Sequence, residues 1–146
     1  MRRQRILKPQ REAIIARAHG CCEYCLCQAK FATQSFSVEH IKPLHLGGDN
    51  SLENLALACQ GCNGHKHIKQ EAIDPADGTS VPLYHPRWQQ WHDHFQWRED
   101  YTVILGITPV GRATVAALQM NRSSLLNLRR VLYALGEHPP VYLQQE

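Results

Sequence analysis

The sequence predicts an α+β fold, and three patterns carry that prediction. Four of the six cysteines fall in two pairs, Cys22-Glu23-Tyr24-Cys25 and Cys59-Gln60-Gly61-Cys62. Between them lie two short stretches, residues 36–41 and 55–58, whose length and composition suit strands. After Asp74 the composition turns aromatic, and a further strand pattern and two helical ones follow. A Cys-x-x-Cys pair sets two thiolates on one tight turn, and two pairs supply the four soft ligands that tetrahedral zinc takes. At 146 residues the chain suits one domain, or one domain with an appended lobe. We expect residues 1–73 to form the zinc-stapled core and residues 74–146 an extension of mixed strand and helix packed on it. Large apolar residues are sparse in the first half, where a structural metal compensates for a small core.

The elements follow in chain order. Residues 9–18 read as a short helix, with Pro9 in its first turn, apolar Ala13, Ile14, Ile15 and Ala18, and Gly20 as terminator. The first cysteine pair makes a knuckle. Residues 36–41 alternate as a strand does, with Phe36, Val38 and His40 on one side and Glu39 and Ile41 on the other, and Pro43 stops it. Gly47-Gly48-Asp49-Asn50 is a turn. Residues 55–58 form a second strand that feeds the second knuckle, and a helix is expected over about residues 63–70. Asp74-Pro75-Ala76-Asp77-Gly78 is another turn. Trp88, Trp91, Phe95 and Trp97 are too apolar for a linker and should be buried. Residues 101–106 read as a strand. Thr108-Pro109 caps a helix running to about Gln119, and a last helix spans about residues 123–135 before Gly136. Leu125, Leu128, Val131, Leu132 and Leu135 make its apolar face.

Net charge is only +3, too small to argue for nucleic acid by itself, but the distribution is uneven. Arg2, Arg3, Arg5, Lys8 and Arg11 cluster near the N-terminus, and Lys66 and Lys69 follow the second cysteine pair. Such clusters suit phosphates. The first 30 residues hold no apolar run of signal-peptide type, and no stretch is long enough to span a membrane. A cytoplasmic protein is expected, in which thiols stay reduced and bind metal rather than pairing as disulfides. Cys21 and Cys27 fall outside the pairs and read as small buried thiols, although Cys21 replaces Cys22 as ligand in a shifted register.

Within the 33-residue interval between the pairs lie parts of a hydrolytic site. Phosphodiester hydrolysis needs a water, a base for its proton, and positive charge at the phosphate and leaving oxygen. A neutral imidazole is a suitable base near pH 7, and His40 offers one. A divalent ion supplies the charge, and a hard cation such as Mg²⁺ takes one or two oxygen ligands from protein. Glu39 offers a carboxylate and Asn63 an amide oxygen.

The stretches Val38-Glu39-His40-Ile41-Lys42-Pro43-Leu44, Gly47-Gly48-Asp49, Leu52-Glu53-Asn54-Leu55 and Cys59-Gln60-Gly61-Cys62-Asn63-Gly64-His65-Lys66 closely resemble the HNH endonuclease family. The intervals from His40 to Asn54 and to Asn63 resemble those in nuclease domains of RNA-guided DNA-cleaving effectors, and the second also resembles phage junction resolvases. The resemblance implies a ββα-metal fold of two strands and a helix around one Mg²⁺ or Mn²⁺ ion. It implies His40 as general base, Glu39 and Asn63 as ligands of that ion, and Asn54 as holder of the loop that orients the base. Cys22, Cys25, Cys59 and Cys62 would be the structural Zn²⁺ site. Two departures stand out: family members mostly carry Asp in place of Glu39 and often His in place of Asn63, Asn being the variant of the resolvase-like branch. His67 follows Asn63 by four residues, one helical turn, and is a further candidate ligand.

Residues 74–146 resemble the tail of many small stand-alone bacterial HNH proteins, through Leu83-Tyr84-His85-Pro86-Arg87, Trp91-His92-Asp93-His94-Phe95 and Gly111-Arg112-Ala113-Thr114-Val115. Lys66, Lys69, Arg87 and Arg112 are the candidate nucleic-acid contacts, with Arg129 and Arg130 equally suited to solvent. The histidines of His92-Asp93-His94 suit structural hydrogen bonds better than a second metal. The sequence therefore points to a metal-dependent DNA endonuclease. A zinc-stapled nucleic-acid-binding module without catalysis, and an RNase with the same site, are the alternatives. A binding module needs the cysteines but has no use for Glu39, His40, Asn54 and Asn63 at these intervals. Substrate shape and oligomeric state stay open.

Overall fold

The computed structural model describes residues 5–140; Arg2 and Arg3 of the basic N-terminal cluster lie outside them. Helix α1 (Lys8–Arg17) opens with Pro9 in its first turn, where no intrahelical N–H is needed. Ile14 is its buried residue, and Arg17 ties the helix to residues 52–55 by donating to the carbonyls of Leu52 and Leu55 at 2.9 and 2.6 Å. Arg11, one of the cationic cluster, donates to the Phe36 carbonyl at 2.8 Å instead of reaching outward.

Strands β1 (Ser37–His40) and β2 (Leu55–Ala58) pair antiparallel, Glu39 opposite Ala56 and His40 opposite Leu55. β2 is buried along its whole length, which its run of Leu and Ala allows. Helix α2 (Gln60–Lys66) begins earlier and ends earlier than the sequence predicts. The Cys59 thiol caps it by accepting from the Cys62 N–H, and His67 leaves it with φ of 47°. A thiolate can therefore serve as cap and metal ligand together, a start signal that an oxygen-based capping rule misses.

Beyond the core, β3 (Glu71–Ile73) and β4 (Ser80–Pro82) form a hairpin around the expected turn. A single helical turn, α3 (Trp91–His94), leads into β5 (Phe95–Trp97), which pairs with β6 (Ile104–Gly106). Helix α4 (Pro109–Leu118) has Thr108 as cap, its hydroxyl accepting from the Gly111 N–H, and α5 (Ser123–Ala134) closes the fold. The core runs through both halves. Ile14, Tyr24, Leu55 and Leu57 pack in one cluster with Tyr84, Trp91, Phe95 and Leu118. Trp91 Nε1 also donates to the Tyr24 carbonyl at 2.8 Å.

Two expectations about burial are corrected. Trp91 and Phe95 are buried, but Trp88 is 81% exposed. On α5, Leu125 and Leu132 are buried as expected and Arg129 is buried beside them, whereas Val131 and, just past the helix end, Leu135 face outward. Arg129 is accommodated because its guanidinium finds acceptors. It donates to the carbonyls of Thr102 and Met120 at 2.8 and 2.7 Å, and it lies over the Trp97 ring. Among the described residues no helix is long and apolar enough to cross a membrane.

Candidate functional site

The four paired cysteines converge. Their sulfurs lie within 4.8 Å of one another and all four residues are buried. Zinc–sulfur bonds of about 2.3 Å set tetrahedral thiolates about 3.8 Å apart. The Cys25 and Cys59 sulfurs already stand at 3.7 Å. Donor type, number and spacing thus fit a structural zinc site. Cys21 is turned away, its Sγ directed at the His19 carbonyl at 3.5 Å, so the register with Cys22 is the one realised.

Arg122, just before α5, covers this centre. Its Nη2 lies 3.3 Å from Cys59 Sγ and its Nη1 3.7 Å from Cys62 Sγ. Burial works to lower the Arg122 pKa, but the Cys62 and Cys59 sulfurs outweigh it and hold the group above its ordinary value. Four thiolates around a dication leave two negative charges, and a guanidinium at this distance offsets part of them. Gly61 makes the approach possible, because a Cβ there would stand 2.3 Å from Arg122 Nη2.

The hydrolytic candidates converge on a second place. A cleft of about 350 Å³ between the end of β1 and α2 is lined by Glu39, His40, Asn63 and His67. These are separated widely in sequence and are brought together because β1 lies along α2. His40 Nε2 sits 2.6 Å from Asn50 Oδ1. An amide oxygen only accepts, so this contact keeps the ring proton on Nε2 and leaves Nδ1 as the nitrogen with a free lone pair.

Asn54 holds the loop that carries Asn50. Its Oδ1 accepts from the Lys42 N–H at 2.8 Å, and its Nδ2 donates to the carbonyls of Lys42 and Asp49 at 3.0 and 2.8 Å. One side chain thereby fastens both ends of the loop. Gly48 lets the loop close on itself, since a Cβ there would meet the Lys42 carbonyl oxygen at 1.9 Å.

Glu39 is the surprise of the cleft. Its carboxylate is buried, accepts a hydrogen bond from the Tyr24 hydroxyl, and is ion-paired with Lys66 Nζ at 3.0 Å. Burial raises its pKa above the usual carboxylate value, and Lys66 and Tyr24 pull it back. Lys66 also donates to the Ile41 carbonyl at 3.1 Å. A carboxylate has about four lone-pair positions, so these two partners leave it able to accept more. Glu39 and Asn63 are the hard oxygen donors in the cleft, a set that suits Mg²⁺ or Mn²⁺. His67, beyond the helix end, lines the same cleft as an exposed residue.

The four candidate nucleic-acid contacts are placed differently from one another. Lys66 is 2% exposed and turned inward, a correction to its expected outward role. Arg87 pairs with Glu23 and is largely enclosed. Arg112 grips Asp74 through Nε and Nη2, at 3.0 and 2.9 Å, with 35% of its side chain still exposed. Lys69 is exposed, its Nζ donating to the His65 carbonyl. His94 Nδ1 bonds the Thr108 hydroxyl at 2.6 Å and His92 packs edge-on against Trp91, so the His92-Asp93-His94 run serves structure.

Sequence reasoning missed Tyr24, Glu23, Asn50 and Arg122. The first two fill the interior of the first Cys-x-x-Cys pair. Tyr24 reaches Glu39, and Glu23 accepts from the Leu57 N–H at 2.7 Å. Asn50 carried a weak signal as the last residue of the Gly-Gly-Asp-Asn turn. Arg122, 60 residues beyond Cys62, carried none.

Residues 22–69, about a third of the chain, match the family model described as HNH endonuclease. No curated protein and no solved structure matches the chain. The match and the thiolate centre support a nuclease or nucleic-acid-binding function with a metal site.

Proposed function

We propose, with the HNH match over residues 22–69 as the premise, that the chain is a metal-dependent endonuclease that hydrolyses DNA phosphodiester bonds. The observation that carries this reading is the shared cleft of Glu39, His40 and Asn63. His40 Nδ1 takes a proton from the attacking water, whose oxygen bonds to phosphorus. The bond from phosphorus to the leaving sugar oxygen breaks, and that oxygen acquires a proton from solvent. Glu39 and Asn63 hold a divalent ion, which when bound supplies positive charge to the phosphate and leaving oxygen. Asn54 keeps the loop shut, and Asn50 keeps the imidazole in the tautomer that works as a base. The zinc site fixes the start of α2, and so the position of Asn63.

One observation favours a second reading, a nucleic-acid-binding module without catalysis. Lys66 places an ammonium on Glu39, where the charge of a metal would otherwise fall. The two readings separate in one experiment. Zinc-loaded protein is incubated with plasmid, linear duplex, single strands and RNA, each with Mg²⁺, Mn²⁺ or no added ion, beside His40→Ala. Divalent-dependent DNA nicking that falls by about 10²–10⁴ in His40→Ala supports the nuclease. Binding without cleavage under every condition supports the module, and cleavage of RNA alone moves the substrate from DNA to RNA.

A further inference from the structure

A second cavity, of about 420 Å³, lies on the far side of the Glu39–Lys66 pair. Glu39 lines the cleft and Lys66 lines this cavity, so the ion pair reaches from one lining to the other. Its floor is apolar, built from Ile41, Leu83 and Tyr84, and among the described residues its lining contains no Asp or Glu. Lys42 and Lys69 are exposed residues of its lining, the Lys69 ammonium resting on the His65 carbonyl at 3.0 Å and the Lys42 ammonium lying beside Gly47. Trp88 forms one side. His85 stacks on one face of that indole, with ring centroids 3.8 Å apart and planes within 2°. Trp88 nevertheless remains 81% exposed, so its other face is open. A large aromatic side chain presented this way offers a flat apolar face whose burial is favourable.

We propose that this cavity receives an unpaired nucleotide of the strand being cut, its base stacked on Trp88 and its phosphate drawn by Lys42 and Lys69. The inference rests on the nuclease reading above. The chemistry agrees on three counts. Every base has a π-face that stacks on an open indole. Two exposed lysines and, among the described residues, no carboxylate in the lining suit a phosphate. Lys42 follows His40 by two residues and the Glu39–Lys66 pair links the two linings, so the cavity neighbours the cleft. A base stacked and paired within a duplex cannot lie on Trp88, so the site selects single-stranded, frayed or flipped nucleotides. The substrate would therefore be a strand with an unpaired nucleotide beside the scissile bond.

The test uses full-length, zinc-loaded His40→Ala protein, which does not consume its ligand. Fluorescence anisotropy follows a labelled oligothymidine and a duplex of the same length, and tryptophan emission is read in the same titrations. Adding Trp88→Ala should weaken single-strand binding by roughly ten- to a hundred-fold and abolish the quenching of emission, leaving duplex affinity close to its starting value. Trp88→Phe should retain most of the affinity. Lys42→Ala and Lys69→Ala should each lower the salt slope of single-strand binding by about 0.7. Trp88 is exposed, so its removal leaves the core intact, and zinc content with the thermal midpoint verifies this. Single-strand affinity unchanged in a folded Trp88→Ala protein overturns the proposal while the nuclease reading stands. Thymidine monophosphate quenching as tightly as the oligonucleotide also overturns it, in favour of a free nucleotide. Binding of neither strand nor duplex, with no cleavage by the parent protein, removes both proposals together.

Discussion

Lys66 Nζ lies 3.0 Å from Glu39 Oε2, with the two side chains 2% and 4% exposed. The pair joins α2 to β1 across the floor of the cleft. Attraction between buried charges is strong, and so is the cost of removing either one alone, about 3–5 kcal/mol, because the survivor stays buried without its partner. The Tyr24 hydroxyl is the third member and gives Glu39 a neutral donor besides the cation. A divalent ion bound to Glu39 has to share that carboxylate with Lys66 or displace it.

This competition makes a two-sided prediction. Lys66→Met, zinc-loaded, should lower the thermal midpoint when no Mn²⁺ or Mg²⁺ is added. It should also tighten Mn²⁺ binding, since the competing ammonium is gone and the ion can take over charge balance. Thermal unfolding with and without Mn²⁺ measures both. A variant as stable as the parent shows that the pair does not support the fold. One destabilised but indifferent to Mn²⁺ shows that Glu39 does not hold the ion.

The thiolate centre predicts one tightly held zinc per chain, lost in Cys59→Ser along with the fold. Arg122 should act on how firmly that zinc is held rather than on whether it binds. Arg122→Leu is expected to keep the stoichiometry and to release zinc to a chelator roughly 10- to 100-fold more readily, as for other groups that support metal ligands. Gly61→Ala should reproduce part of this without touching Arg122, because its methyl group occupies the place of the guanidinium. Equal release rates in all three proteins would mean that Arg122 only packs against the sulfurs.

The legible part of this fold was the part held by local chemistry. The cysteine pairs, β2, the Thr108-Pro109 helix start and the turn at Asp74 each have their cause within a few residues, and each lies where the sequence predicts. The four cysteines and the residues of the cleft stand out in the sequence because their types and intervals are constrained by the ligands they would suit. What the sequence hid depends on partners far along the chain. Lys66 reads as a surface cation until Glu39 is seen to face it, and Trp88 reads as core until the cavity around it is built. Arg129 reads as solvated until three backbone and side-chain acceptors surround it. For Lys66 a partner 27 residues away, and for Arg129 acceptors 8 to 27 residues away, decide burial, and periodicity carries no record of such contacts; Trp88 instead stacks on the nearby His85 and stays exposed.

Asp74 links the β3–β4 turn to α4 and predicts an acid limit to stability. Its carboxylate accepts from Arg112 Nε and Nη2 and from the Ala76 N–H, and Arg112 first, then that N–H, holds its pKa below the ordinary carboxylate value. A lowered folded-state pKa stabilises above the unfolded value of about 3.9 and is lost as pH falls through the folded one. Unfolding midpoints measured downward from pH 5 should therefore fall more steeply in the parent than in Asp74→Asn, which starts less stable. Parallel curves would show that this carboxylate does not set the acid limb.

The last prediction concerns the loop over His40. Asn54 and Gly48 touch neither the water nor the phosphate in the proposed reaction; they act by fixing the chain that carries Asn50, and Asn50 fixes the imidazole. Groups that work only through another group lose their effect when that group is removed. Asn54→Ala should slow DNA cleavage by roughly 10- to 100-fold, less than the 10²–10⁴ expected of His40→Ala. Gly48→Ala should do at least as much, since its methyl group collides with the Lys42 carbonyl. In a His40→Ala background neither change should cost anything further. Glu39→Ala and Asn63→Ala differ in kind: their loss should be partly reversed by excess Mn²⁺, whereas that of His40→Ala and Asn54→Ala should not. Rates of single and double variants at saturating Mn²⁺ give the coupling directly. Additive losses would place Asn54 in an independent role and detach the loop from the base.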